Sequence, residues 1–337
     1  MLLRFAAPHT RLIVLAIWIL GASLTVYLAM DHRQQRELEI ICRHDSSGRY
    51  TILARLPQAP FPYEGSVGDT DQPFFDHLDP FSGQRFHTTG DGIRYPESPH
   101  YRDNRVLIHL PPFFQSAQPF AILVFFHGHQ TEIRQTLIHD LDLVQQINSS
   151  GRNLVLVAPQ LVLQAADSSP GKLYRTQGFS RMLEDVAQVL RPELGDAFAA
   201  RFRQAPVWLT AYSGGYRAAA YTLDRGFDQD QKKRLQGVIL LDALYGELEK
   251  FFAWMQQPGA HFINLYGPST RPLSSKLQER VRTQGQSWST TLPDQEWWPG
   301  WHFLSVPTPH QKLFRDGPPP WPLKEILARL PEKNSGI

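Results

Sequence analysis

Residues 206–219, PVWLTAYSGGYRAA, decide how this chain is read. The apolar run 207–209 is what a buried strand uses, and from Tyr216 onward the residues favour a helix. Only Ala211-Tyr212-Ser213-Gly214-Gly215 stands between them. Where a strand passes sharply into a helix, the residues two before and two after the apex face each other too closely for large side chains. Here they are Ala211 and Gly215, with Ser213 at the apex. Such a turn lifts the serine hydroxyl above the sheet edge and points the following amides at the same space. A serine at a helix N-terminus is also a common cap, so a nucleophile reading needs partners elsewhere in the chain.

On both sides of this turn, short apolar runs alternate with amphipathic stretches. Residues 121–126 (AILVFF), 154–157 (LVLV), 207–209, 238–241, 262–265 and 303–306 read as strands, the first without a polar face. Between them, helical spacing predicts helices over 131–148, around Phe179 to Leu190, over 216–223 and around Leu248 to Met255. Gly151 sits where a C-terminal cap is expected. Strands alternating with helices predict an α/β fold with a mostly parallel central sheet and helices on both faces. Residues 31–100 read as an irregular lead-in with the first strand, 50–56, and a further strand follows at 105–110. Asp69, Asp71, Asp76 and Asp79 crowd one stretch but lack the spacing and turn glycine of a calcium loop, so no metal is assigned there.

A serine hydroxyl needs a base and an orienting acid. Asp242 lies at the carboxyl end of the 238–241 strand; its alternative reading is a cap on the next helix, and Glu247 is the reserve acid. Of thirteen histidines, His310 lies just past the last strand in SVPTPHQKLF, whereas His302 falls at that strand's opposite end. His127-Gly128-His129-Gln130 follows the AILVFF strand directly. Two histidines two apart on a turn with no acidic ligand set are a poor metal pair.

These motifs together resemble the α/β-hydrolase superfamily over about residues 105–315. Ala211–Gly215 is similar to the nucleophile elbow G-x-S-x-G with alanine for the first glycine, and His127-Gly128-His129 looks like the HG-x oxyanion motif. The resemblance implies a triad of Ser213, Asp242 and His310 in that chain order, with the amides of His129 and Gly214 as oxyanion donors. Most members carry the acid after the following strand, but residues 265–270 (LYGPST) contain no carboxylate, which favours Asp242. The implied activity is cleavage of an ester or related acyl bond without a cofactor. An envelope amidase or peptidase with the same triad, or an inert binding protein on this fold, stays open. Tyr212 and Tyr245 are candidate pocket residues by their closeness to the triad. Trp288, Trp297, Trp298 and Trp301 supply either an aromatic wall for an apolar or carbohydrate-like group, or core packing or a place at the membrane interface.

Residues 12–30, LIVLAIWILGASLTVYLAM, carry no charge and as a helix would extend about 28 Å, close to the hydrocarbon thickness of a bilayer. A transmembrane signal anchor is expected, after a short tail over 1–11 and ahead of a hydrolase-like domain over 101–337. Arg4 and Arg11 precede the segment and mixed charges follow it, which places the domain extracytoplasmically, on the periplasmic side in a bacterium, or secreted if the segment is cleaved. The 337 residues carry 34 basic against 32 acidic side chains, a net charge of +2 without long like-charge runs, so no nucleic-acid footprint appears. One cysteine, Cys42, excludes an internal disulfide and a cysteine-based metal site. No dinucleotide or P-loop fingerprint occurs. The oligomeric state is not legible.

Overall fold

The computed structural model describes residues 39–44, 50–292 and 300–330. Its nine-stranded sheet is built from β1 (Glu39–His44), β2 (Tyr50–Arg55), β6 (Arg105–Leu110), β7 (Ala121–Phe126), β8 (Leu154–Pro159), β9 (Val207–Tyr212), β10 (Leu235–Leu241), β11 (His261–Tyr266) and β12 (Trp301–Ser305). Three short strands, β3 (His77–Leu78), β4 (Arg85–Thr88) and β5 (Arg94–Pro96), pair in a separate antiparallel sheet within the expected lead-in. The spatial order is β1-β2-β6-β8-β7-β9-β10-β11-β12. From β8 to β12 every pairing is parallel, and the β1-β2-β6-β8 side is antiparallel. This is an α/β fold with a mostly parallel central sheet, and the unit Glu39–Ile337 contains all of it.

Alternation along the central strands explains the two helical layers. Ile122, Val124 and Phe126 of β7, with Val238 and Leu240 of β10, join one core; Leu123, Phe125, Ile239 and Leu241 join the other. Each fully buried side chain of this kind contributes about 1.5–3 kcal/mol. The first core is covered by α2 (Gly178–Phe202), α3 (Tyr216–Arg225) and α4 (Leu248–Met255). The second is covered by α1 (Leu143–Ser149), α6 (His310–Asp316) and α7 (Pro322–Ala328). Helix α5 (Arg271–Thr283) lies between β11 and β12 in the chain.

The helix expected over 131–148 is two pieces. Ile133–Asp140 is a wide π-type turn in which the Leu141 amide donates to the Thr136 carbonyl, and Asp142 at φ +51° precedes α1. The break keeps Ile133 and Leu137 in the same core as Leu143 and Ile147. The acidic stretch is held by protein groups: Asp76 accepts from the Thr88 amide and hydroxyl, Asp79 from the Phe81 amide and Ser82, and Asp69 pairs with Arg225. The expected membrane segment 12–30 lies outside the described residues, and among these no helix is long and apolar enough to cross a membrane.

Candidate active site

Register brings the chemistry together. In the sheet Phe126 is level with Ala211, Tyr212 with Leu241, and Leu241 with Leu265. The first residues past the carboxyl ends of β9 and β10 are therefore neighbours at about the 4.8 Å strand spacing, and they are Ser213 and Asp242. The chain from β7 runs to β8 on one side, while β9 lies on its other side, so this edge is also where the strand order reverses and ligands bind in open α/β sheets.

Ser213 sits at φ +52°, the left-handed region that a non-glycine residue occupies only when its surroundings enforce it. The enforcement is close packing. A Cβ on Gly215 would stand 2.2 Å from the Phe126 carbonyl oxygen, so the helix start can lie on β7 only with glycine there. A Cβ on Gly128 would stand 2.7 Å from the Ser213 Cβ, so the HGH turn approaches the serine only through a glycine.

The Ser213 Oγ lies 2.8 Å from His310 Nε2, and His310 Nδ1 lies 2.7 Å from Asp242 Oδ2. An ionised carboxylate only accepts, so Nδ1 carries the proton and the Nε2 lone pair faces the serine hydroxyl. Asp242 is fully buried, at φ +44°. Burial alone would raise its pKa, but hydrogen bonds from His310, the Thr270 hydroxyl, the Gly267 amide at 2.9 Å and the Ser269 hydroxyl at 2.8 Å outweigh it and bring it down to about 2. Asp242 therefore stays a carboxylate at any physiological pH. The loop after β11, which carries no acid of its own, supplies Gly267, Ser269 and Thr270 to the acid after β10.

Of the other sequence candidates, Glu247 is drawn off to Lys250 at 3.0 Å. His302 is the second residue of β12, with Nδ1 2.9 Å from the Thr291 carbonyl, at the end of the strand away from His310. Tyr212, a candidate pocket residue, is half-buried against His310. Its ring stacks on His310 at 5.1 Å and 9°, and its hydroxyl donates to the His310 carbonyl at 3.0 Å, so it supports the histidine from beneath. Tyr245 is exposed, and its hydroxyl stands 3.4 Å from His310 Nδ1. Trp288 and Trp301 pack against the first core, while Trp297 and Trp298 lie outside the described residues.

The two histidines of the HGH turn have separate surroundings. His127 is buried; its Nε2 accepts the Leu161 amide at 2.8 Å, so Nδ1 is the protonated nitrogen and donates to the Gly128 carbonyl at 2.7 Å. Burial lowers its pKa to about 4 and keeps it neutral. His129 is exposed, its ring lies against Gly214, where a Cβ would stand 2.3 Å from Cδ2, and its Nε2 is 2.8 Å from the Ser168 hydroxyl. Gly128 thus backs directly onto Ser213, and the His129 ring covers Gly214. Ser269, Thr270, Ser168 and the Leu161 amide were invisible to motif reading, because each acts through a tertiary contact from a loop.

No protein-family model matches the chain, and no curated protein matches it. Solved structures are similar in fold. The feruloyl esterase module from Clostridium thermocellum, complexed with sinapinate, shares 14% identity over 82% of this chain and 100% of that one, at a TM-score of 0.43. An S-formylglutathione hydrolase from Agrobacterium tumefaciens shares 12% over 79% of this chain and 91% of that one, at 0.41. XC6422 from Xanthomonas campestris, described as an a/b serine hydrolase without lid, shares 13% over 74% and 94%, at 0.35.

Proposed function

We propose that this chain is a serine hydrolase that cleaves an ester or related acyl bond through an acyl-enzyme. One observation carries the reading: an unbroken relay from the Ser213 hydroxyl at 2.8 Å through His310 at 2.7 Å to a buried carboxylate. In the reaction His310 Nε2 takes the serine proton as Oγ attacks the acyl carbon. The imidazolium is held by Asp242, and the carbonyl oxygen becomes an oxyanion that the Gly214 and His129 amides receive. His310 then returns the proton to the leaving group, and a water deprotonated by the same nitrogen releases the acid. In this proposal residues 12–30 anchor the domain on the extracytoplasmic side of a membrane; the uncharged run of nineteen residues supports it.

The test is labelling with a fluorophosphonate probe. Wild-type protein is expected to label at Ser213, and Ser213→Ala and His310→Ala to stay unlabelled while keeping the wild-type circular dichroism spectrum. Folded wild type that refuses the probe and turns over neither ester nor amide substrates would remove the reading.

A further inference from the structure

Arg217 lies one helical turn past Ser213, on the same face of α3 as the nucleophile's turn. Glu247, the Tyr216 ring and hydroxyl, and the Tyr174 hydroxyl face it, but they answer its donors only in part. The Nε is buried with no hydrogen-bond partner among the described residues, and Nη2 donates to the Tyr216 hydroxyl at 3.3 Å. The nearest carboxylate, Glu247, stops at 3.6 Å from Nε and is itself bound by Lys250. The field of Asp167 also reaches the guanidinium, but its oxygens accept from Tyr101 and Ser169, and it forms no ion pair with Arg217 among the described residues. A guanidinium offers five donors, and buried ones are ordinarily satisfied.

Two tyrosines link this position to the proposed chemistry. The guanidinium sits 5.7 Å from the Tyr216 ring, Tyr216 is 6.3 Å from Tyr245, and Tyr245 is 6.0 Å from His310. On the other rim its charge is felt by His129, whose ring lies on Gly214. Arg217 is partly exposed, at 33% of its side chain, so a bound group can reach it.

We infer that Arg217 recognises a carboxylate on the substrate, which makes the substrate an anionic ester. The inference rests on the hydrolase reading and adds the substrate class to it. A planar carboxylate matches the guanidinium fork and answers its unused donors.

Two pairs of esters test it and separate the acyl from the leaving side: 4-nitrophenyl hemiglutarate against 4-nitrophenyl pentanoate, and 4-acetoxybenzoate against 4-acetoxybenzamide. In at least one pair the kcat/KM ratio of charged to neutral substrate is expected to exceed one in the wild type and to fall about 10- to 100-fold in Arg217→Met. Arg217→Lys, which keeps the charge and loses the fork, should lie between, and it carries the test if the methionine variant fails to fold. A second arm needs no turnover: glutarate and 4-hydroxybenzoate titrated calorimetrically into Ser213→Ala protein, with at least one expected to bind about tenfold or more weaker once Arg217→Met is added. Ratios unmoved by the arginine substitutions in both pairs, or no binding difference with either anion, overturn the inference. Loss of fluorophosphonate labelling and of all ester turnover would instead remove the hydrolase reading, with the binding arm still judging Arg217.

Discussion

Asp242 is the residue on which the site's geometry is most constrained. Its four hydrogen bonds all treat it as a pure acceptor, and an amide in its place would turn one of those contacts into a donor facing a donor. The imidazole would then present N–H rather than a lone pair to Ser213. Asp242→Asn is therefore expected to lower kcat by about 10³–10⁴ with little change in KM. Steady-state kinetics on a neutral nitrophenyl ester checks it; a loss below tenfold would mean that Asp242 does not orient His310. The same carboxylate affects stability. Its folded pKa is depressed below the ordinary 3.8, so it favours the fold above that value, and the contribution, on the order of 2 kcal/mol, disappears as pH falls from about 4 to about 2.

At the level of elements, the strand–turn–helix at Ser213 depends on two glycines that fail differently. Alanine at 215 would drive a methyl into the Phe126 carbonyl, a backbone atom in the sheet centre that has little room to yield. Gly215→Ala should lower stability by about 1–3 kcal/mol, read as an earlier urea midpoint. Alanine at 128 meets the Ser213 side chain, so Gly128→Ala should keep more of the fold's stability while losing fluorophosphonate labelling. Equal effects of the two on both readouts would contradict this account of the elbow. The strands and the turn at Ser213 were legible because each is written locally, in continuous apolar runs and in the small residues Ala211 and Gly215, whereas the acid and the base were suggested only through the resemblance. The separate sheet of β3, β4 and β5 was not. Its strands are two to four residues long, and it rests on an aromatic cluster of Phe61, Tyr63, Phe74 and Tyr101 drawn from well-separated positions. Ser269 and Thr270 escaped for a similar reason: a hydroxyl pair after β11 gains meaning only once register sets that loop beside Asp242. The orientation of Tyr212 was equally hidden, since sequence places it next to Ser213 without saying that its ring turns under His310.

Across the whole molecule, buried histidines make acid the environment to which this fold is most exposed. His127 and His261 are both nearly buried, and burial lowers each to about 4 from an ordinary 6.5. The unfolded chain therefore takes up these protons first as pH falls, so stability is fully present above about 6.5 and declines toward 4. Near pH 5 each histidine contributes close to one proton of difference, about 1.4 kcal/mol per pH unit. Two of them over two units give about 5 kcal/mol, offset in part by Asp185, whose carboxyl burial raises to about 6, so that the folded state takes up that proton first over the same window. This window lies above the one in which Asp242 acts, so the two separate in a titration. Urea midpoints measured from pH 7.5 down to 4.5 should fall steadily, and the slope should lessen by about one proton in His127→Gln, whose side-chain carbonyl can still accept the Leu161 amide. A slope identical to wild type in that variant would show that His127 is not held neutral by its burial, and the HGH turn would then need another anchor than the imidazole beneath it.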